Sequence, residues 1–148
     1  MNKNAMFSSA TCEWSTPKAF FDSLNAEFCF TLDPCANDEN HKCEKYFTKE
    51  IDGLSQTWAK EIVFCNPPYG REIKWWIKKC FEEVFFGHCP CAVALVPART
   101  DTSWFHEFIY KKAEIRFIKG RLFFGDSLKN HAPFPSMVVV FRKKEEKK

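Results

Sequence analysis

No run of about 18 apolar residues occurs in the chain, so no segment is expected to cross a membrane. A secretory leader is lacking as well, which makes a cytoplasmic chain with reduced thiols the expectation. Cysteine itself is plentiful: Cys12, Cys29, Cys35, Cys43, Cys65, Cys80, Cys89 and Cys91. Cys65 and Cys80 nevertheless fall in apolar periodic segments, where a small hydrophobe belongs. Cys35, His41 and Cys43, even with Cys89 and Cys91, lack the paired two-residue spacing of a zinc knuckle, and no metal is expected. The four histidines show no partner pattern and receive no role. An excess of charge is lacking too, since a net +3 permits a polyanionic partner without demanding one. No internal repeat is present, and 148 residues are too few for two ordinary domains. One domain over 1–148 is expected, with loose ends near 1–12 and 142–148.

What the chain does have is apolar material for a core, 45% of its residues, arranged in two alternating periods. Ser15-Thr16-Pro17 reads as a hydroxyl cap and first-turn proline, with Phe20, Phe21, Leu24 and Phe28 at helical spacing, giving a helix over about 17–27. Phe28 to Leu32 is a short apolar run stopping at Asp33-Pro34, and Ile62 to Cys65 is a second; both predict buried strands. Ile73, Trp76, Ile77, Cys80, Phe81, Val84 and Phe85 make a continuous apolar helix face, which places Trp75, Trp76 and Phe81 on or beside the core. Cys91 to Val96 predicts another strand and Ser103 to Lys112 another helix, with Trp104 and Phe105 open between core and base stacking. Ile115 to Ile118, Leu122 to Phe124 and Met137 to Phe141 predict closing strands. Strands alternating with helices and then accumulating argue for an α/β fold: a mostly parallel sheet with an antiparallel C-terminal edge. The interval from Asp33 to Asn66 is short for two strand and helix units, so a trimmed sheet is expected.

Ligands of such sheets sit at the carboxyl ends of the strands. Two unusual loops leave those ends, Asp33-Pro34-Cys35-Ala36 and Asn66-Pro67-Pro68-Tyr69, and both should open onto one rim. In the second, the prolines donate no hydrogen bond and stiffen a backbone that presents carbonyl oxygens. The Asn66 amide oxygen adds an acceptor, so that Asn66 and the Pro67 carbonyl can together accept both N–H groups of a planar amine. Tyr69 would offer a ring face beside it. Helix capping by Asn66 is the structural alternative.

Asn66-Pro67-Pro68-Tyr69 after an apolar strand resembles the signature of amino-group methyltransferases. With Trp14-Ser15-Thr16-Pro17, Leu32 to Ala36, Tyr46-Phe47-Thr48, Asp52-Gly53-Leu54 before Trp58, Pro97 to His106 and Gly120 to Phe124, the chain resembles the phage-type DNA N6-adenine methyltransferases of the Dam family over residues 14 to 141. The resemblance implies a trimmed Rossmann-like class I methyltransferase sheet, S-adenosylmethionine as cofactor, DNA as partner, and a bacterial or phage-infected cell. It implies Asn66, Pro67, Pro68 and Tyr69 as the catalytic set holding a flipped adenine. It implies a cofactor pocket of Trp14, Thr16, Pro17, Asp33, Pro34, Cys35 and Ala36, with Asp52 added by its position between the two loops. Arg71, Arg99 and Arg121 are candidates for DNA contact, in the segments Arg71 to Lys74, Arg99 to Ser103 and Gly120 to Pro135; a solvated arginine is the alternative for each. The stretch Cys35 to Asn40 has no glycine, unlike the glycine-rich cofactor loop of many methyltransferases. Methylation of a protein glutamine amide and an inactive DNA- or nucleotide-binding module remain the alternative functions.

Overall fold

A computed structural model describes residues 14–126 and 131–143. Of the expected loose ends at 1–12 and 142–148, residues 1–12, with Cys12, and 144–148 lie outside the described residues, whereas Arg142 is not loose: it ends the final strand and donates to Glu114 at 2.8 Å.

Helix α1 spans Lys18–Phe28, strand β1 Leu32–Asp33, β2 Lys45–Tyr46 and β3 Ile62–Cys65. Helix α2 spans Ile73–Phe85, β4 Cys91–Pro97, β5 Glu114–Phe117 and β6 Ser136–Arg142. The strands form one sheet in the order β2-β1-β3-β4-β6-β5. The first four are mutually parallel, while β6 runs antiparallel to both of its neighbours, from Cys91 opposite Arg142 to Pro97 opposite Ser136 along β4. The fold is thus the expected α/β type, and its antiparallel strand is inserted one place in from the edge. Nearly every residue of β4 and β6 is buried, as strands covered on both faces must be. Helix α2 covers the sheet with Ile73, Trp76, Ile77, Cys80 and Val84, five of the seven residues of the apolar face read from the sequence. The sheet is trimmed as expected: between β1 and β3 there is only β2 and a single short helical turn at Gly53–Ser55.

Local hydrogen bonding moves several boundaries. Phe28 is not the start of a strand; it ends α1, because Asn25 accepts from the Cys29 N–H at 2.9 Å through its carbonyl and from the Phe30 N–H at 2.8 Å through its side chain. Ser15 and Thr16 do not cap α1, whose first flanking residue is Pro17 with no side-chain cap. The helix expected over Ser103 to Lys112 is shorter, with a wide turn at Phe105–Ile109 that ends where Lys111 turns left-handed at φ 64°. Leu122 to Phe124 is not a strand: the Leu122 carbonyl accepts from Ala132 and the Gly125 N–H donates to Ser15, each at 2.8 Å, and Phe124 turns inward. Trp104 and Phe105 are core residues, whereas Trp75 is half exposed and belongs to the surface.

Gly53 fixes how closely its own turn and the Asp33-Pro34 loop approach. A Cβ there would lie 2.0 Å from the Pro34 carbonyl oxygen and 3.1 Å from the Trp76 ring, so only glycine fits. The fully buried Trp58 holds the same turn by donating from its indole N–H to the Gly53 carbonyl at 3.0 Å. Gly53→Ala should therefore cost on the order of 1–3 kcal/mol through overpacking. Urea unfolding reads it as a lowered midpoint, and an unchanged midpoint would mean that the Pro34 loop yields freely.

Candidate active site

The Asp33 and Asn66 loops do open onto one rim, where they border a cavity of about 910 Å³. Of the residues expected to hold a cofactor, Trp14, Thr16, Asp33, Pro34, Cys35, Ala36 and Asp52 line it, and Pro17 does not. Of the expected catalytic set, Asn66 and Pro68 line it, and Pro67 and Tyr69 do not. The other walls come from residues that sequence patterns left without a role, among them Asn37, Asn40, Lys42, Glu72 and Trp76.

Asn66 sits one residue beyond β3, and its amide is clamped from one side. Its Nδ2 donates to the Trp14 carbonyl and, at 3.0 Å, to the Thr16 hydroxyl. A backbone carbonyl can only accept, which fixes the orientation of the amide. The remaining atom, Oδ1, is buried and has no hydrogen-bond partner among the described residues. A buried acceptor left unpaired costs about 1–3 kcal/mol, a cost that a ligand N–H would relieve. The hydroxyl read as a helix cap is thus used to aim Asn66.

Asp33 ends β1 and is 4% exposed. Its carboxylate accepts from the Lys42 N–H at 2.9 Å and from the backbone N–H of Cys35. Burial nevertheless dominates and pushes the carboxyl up to about 6. The glycine-free loop beyond it closes through asparagine side chains. Asn37 Oδ1 accepts from the backbone N–H groups of Glu39 at 2.8 Å and Asn40 at 2.7 Å, while Asn40 Oδ1 accepts from the Asn37 N–H at 2.8 Å. Asn40 Nδ2 then donates to the Ser15 hydroxyl at 3.2 Å, tying the loop to the segment that aims Asn66. No residue from 33 to 50 needs a positive φ, which is why the turn can do without glycine. Asp52 does take one, φ 62°, and its carboxylate accepts from the Leu54 N–H at 3.2 Å to cap the short turn.

Tyr69 corrects an expectation. Only 7% exposed, it presents no open face: Phe124 and Phe134 pack edge-on against it, with ring centroids 6.3 and 5.5 Å away, and its hydroxyl donates to the Leu95 carbonyl at 3.2 Å. Tyr69 anchors the turn to β4. Burial raises both its hydroxyl and the adjacent Cys65 thiol well above their ordinary ranges, so neither is a ready nucleophile. Arg71, Arg99 and Arg121 are exposed; none lines the cavity, and Arg121 reaches the Ala132 carbonyl at 3.4 Å.

The shift of Asp33 has a measurable consequence. Between pH 3.8 and about 6 the folded chain holds a proton that the unfolded chain has released. The contribution of this group to stability therefore falls as pH rises through that window and is level above it. Relative to Asp33→Asn, the parent chain should lose on the order of 3 kcal/mol across the window. Urea unfolding at about pH 4 and about pH 7 checks the sign, and a parent chain that gains stability relative to Asp33→Asn toward neutral pH would contradict it.

Comparison with known proteins agrees with this geometry. Residues 4–148 match the family described as DNA N-6-adenine-methyltransferase (Dam). A protein of Escherichia phage T1 named DNA N-6-adenine-methyltransferase is 35% identical over 111 residues, covering 74% of this chain and 45% of the phage protein. An Escherichia coli K12 protein named as the methyltransferase YfdM is 34% identical over 64 residues, covering 38% of this chain and 70% of that protein. This chain thus spans less than half the length of its phage relative. The match runs through both loops that border the cavity and on to the final strand, and by it the chain belongs to the Dam family of DNA N-6-adenine-methyltransferases.

Proposed function

We propose that the chain transfers a methyl group from S-adenosylmethionine to the N6 amine of adenine in DNA. The observation that carries this reading is the buried, unpartnered Oδ1 of Asn66 in the cavity wall. With Nδ2 committed to Trp14 and Thr16, Asn66 offers a ligand only an acceptor, which selects a group bearing N–H. The names of the family and of the phage relative support adenine in DNA as the bearer of that group.

The cavity fits the cofactor. Asp33, Glu50, Asp52 and Glu72 line it against Lys42 and Lys49, an excess of acid that suits a ligand with net positive charge, and the Gly53 contact with Pro34 leaves no side chain to fill the space between the loops. When bound, S-adenosylmethionine supplies an electrophilic methyl group on a sulfonium. Asp33 and Asp52 would hold its polar groups, with Trp14, Thr16 and Pro34 to Ala36 shaping the wall. Asn66 Oδ1 would accept one hydrogen of the amine, drawing the nitrogen lone pair out of conjugation with the ring, whereas the Pro67 carbonyl, expected as a second acceptor, does not line the cavity. The Asn66 bond strengthens as positive charge grows on the attacking nitrogen, so it acts chiefly on the transition state. Tyr69 holds the turn rigid through Leu95. The part-buried position of Asn66 requires the adenine to leave the duplex, at a cost of a few kcal/mol.

Incubation with methyl-labelled cofactor and duplex DNA, followed by nucleoside analysis, should place label on N6 of adenine. Label on a protein glutamine instead would assign the same acceptor to an amide substrate. Cofactor binding by calorimetry with no label transferred would leave a binding module. Asn66→Ala should lower kcat about 10²- to 10³-fold, the usual loss on removing one preorganised hydrogen-bonding group, with cofactor affinity little changed. Near-normal turnover of that variant would overturn the assignment.

A further inference from the structure

A second cavity, of about 380 Å³, lies on the other side of the Asn66 turn, lined by Gly70, Arg71, Ile73, Lys74, Trp75 and Trp104. The segment 66–73 separates the two: Asn66, Pro68 and Glu72 face the first, and Gly70, Arg71 and Ile73 face the second. Trp104 is buried and forms a fixed wall, while Trp75 is 50% exposed although it stands on a helix with ample apolar partners. Two ammonium groups attend the Trp75 ring, Lys74 Nζ at 4.8 Å and Lys78 Nζ at 5.8 Å from its centroid. Arg71 is exposed and makes no ion pair or hydrogen bond among the described residues. Glu72, the acid next to Arg71 in the chain, lines the opposite cavity, so the lining of this groove carries only positive charge.

The geometry points to a nucleotide subsite: the groove takes an unpaired nucleotide neighbouring the target in the same DNA strand, its base on Trp75 and its phosphate between Arg71 and Lys74. An exposed aromatic ring within a run of cations is the arrangement that binds single-stranded nucleic acid, because every base has a face to stack and every link a phosphate to neutralise. A strand whose target base has left the helix to reach Asn66 must pass the adjoining turn, and Gly70 to Trp75 is where it would lie. The assignment of DNA as the ligand rests on the proposed function; the groove itself has its own test.

The probe is fluorescein-labelled oligothymidylate, which contains no adenine and so reports binding apart from methylation. The intact chain should bind it with an affinity that falls as salt rises. Trp75→Ala should weaken binding roughly five- to hundredfold, the usual worth of one base stack, and Trp75→Phe should keep most of it. Arg71→Ala should lower the slope of log affinity against log salt by about one. With 5-iodouracil in the strand, photo-crosslinks should map to Trp75. Trp75 is exposed, so these variants should fold, as circular dichroism will check. No binding by the intact chain, equal affinity for Trp75→Ala, or crosslinks elsewhere would overturn the subsite. So would a dimer of the intact chain that Trp75→Ala dissociates without loss of oligonucleotide affinity, because the groove would then belong to a second copy. Binding that depends on Trp75 supports the subsite even where no methyl transfer is seen, and methyl transfer with Trp75-independent binding overturns it.

Discussion

One side-chain amide, that of Asn66, has its donors bound to the segment before α1 and its acceptor left buried and bare. The constraint reaches well beyond the site. The Trp14 ring packs edge-on against Phe124 and Phe134, these pack on Tyr69, and Tyr69 is tied to Leu95 of β4. The turn after β3 is thereby gripped from the chain's beginning, from its late loop and from the next strand. Such a ring of contacts lets an unpaired polar atom persist, because no small movement of the loop can find it a partner.

The elements that were legible in the sequence are those whose signal is long. Helix α2 carries its apolar face over three turns, β4 is apolar throughout its seven residues and β6 is apolar over the five from Met137 to Phe141, so burial alone determines them. Short elements depended on hydrogen bonds that no period reveals. Asn25 ends α1 and takes Phe28 with it; β2 has two residues, neither of them buried; of Leu122 to Phe124, Phe124 alone turns inward to meet Trp14 and Tyr69 while Phe123 is exposed. The same division holds at the candidate site. Asn66 and Asp33 stood out because prolines beside them announce rigid backbone, and the cavity lies where parallel strands end. The Trp14 carbonyl that aims Asn66 is a main-chain atom, silent in any reading of side chains. Asn37 and Asn40 looked like ordinary polar loop residues, although they supply by side-chain bonding the closure that glycine supplies elsewhere. Gly53 did stand in a recognised motif, yet the reason for it, a 2.0 Å clearance to Pro34, is tertiary.

Trp75 and Trp76 show how one residue's difference in helical phase separates two fates. Trp76 points inward, stacks near Trp58 with ring planes 22° apart, and lines the first cavity. Trp75, turned one step round the helix, stands in solvent under two lysines and lines the second.

The insertion of β6 between β4 and β5 sets an order in time. A chain made from its beginning exposes β4 and β5 as strands with nothing between them, and their common partner, β6, follows both in the sequence. Seven residues of β4 wait for residues 136–142, so the pairing that closes this half of the sheet has the longest reach in sequence that β4 makes. Until it forms, the apolar flank of β4 is an open strand edge of the kind that recruits other chains. The nascent chain is most prone to aggregate in that interval, and the arrival of β6, more than the formation of any helix, gives the Asn66 turn a rigid floor.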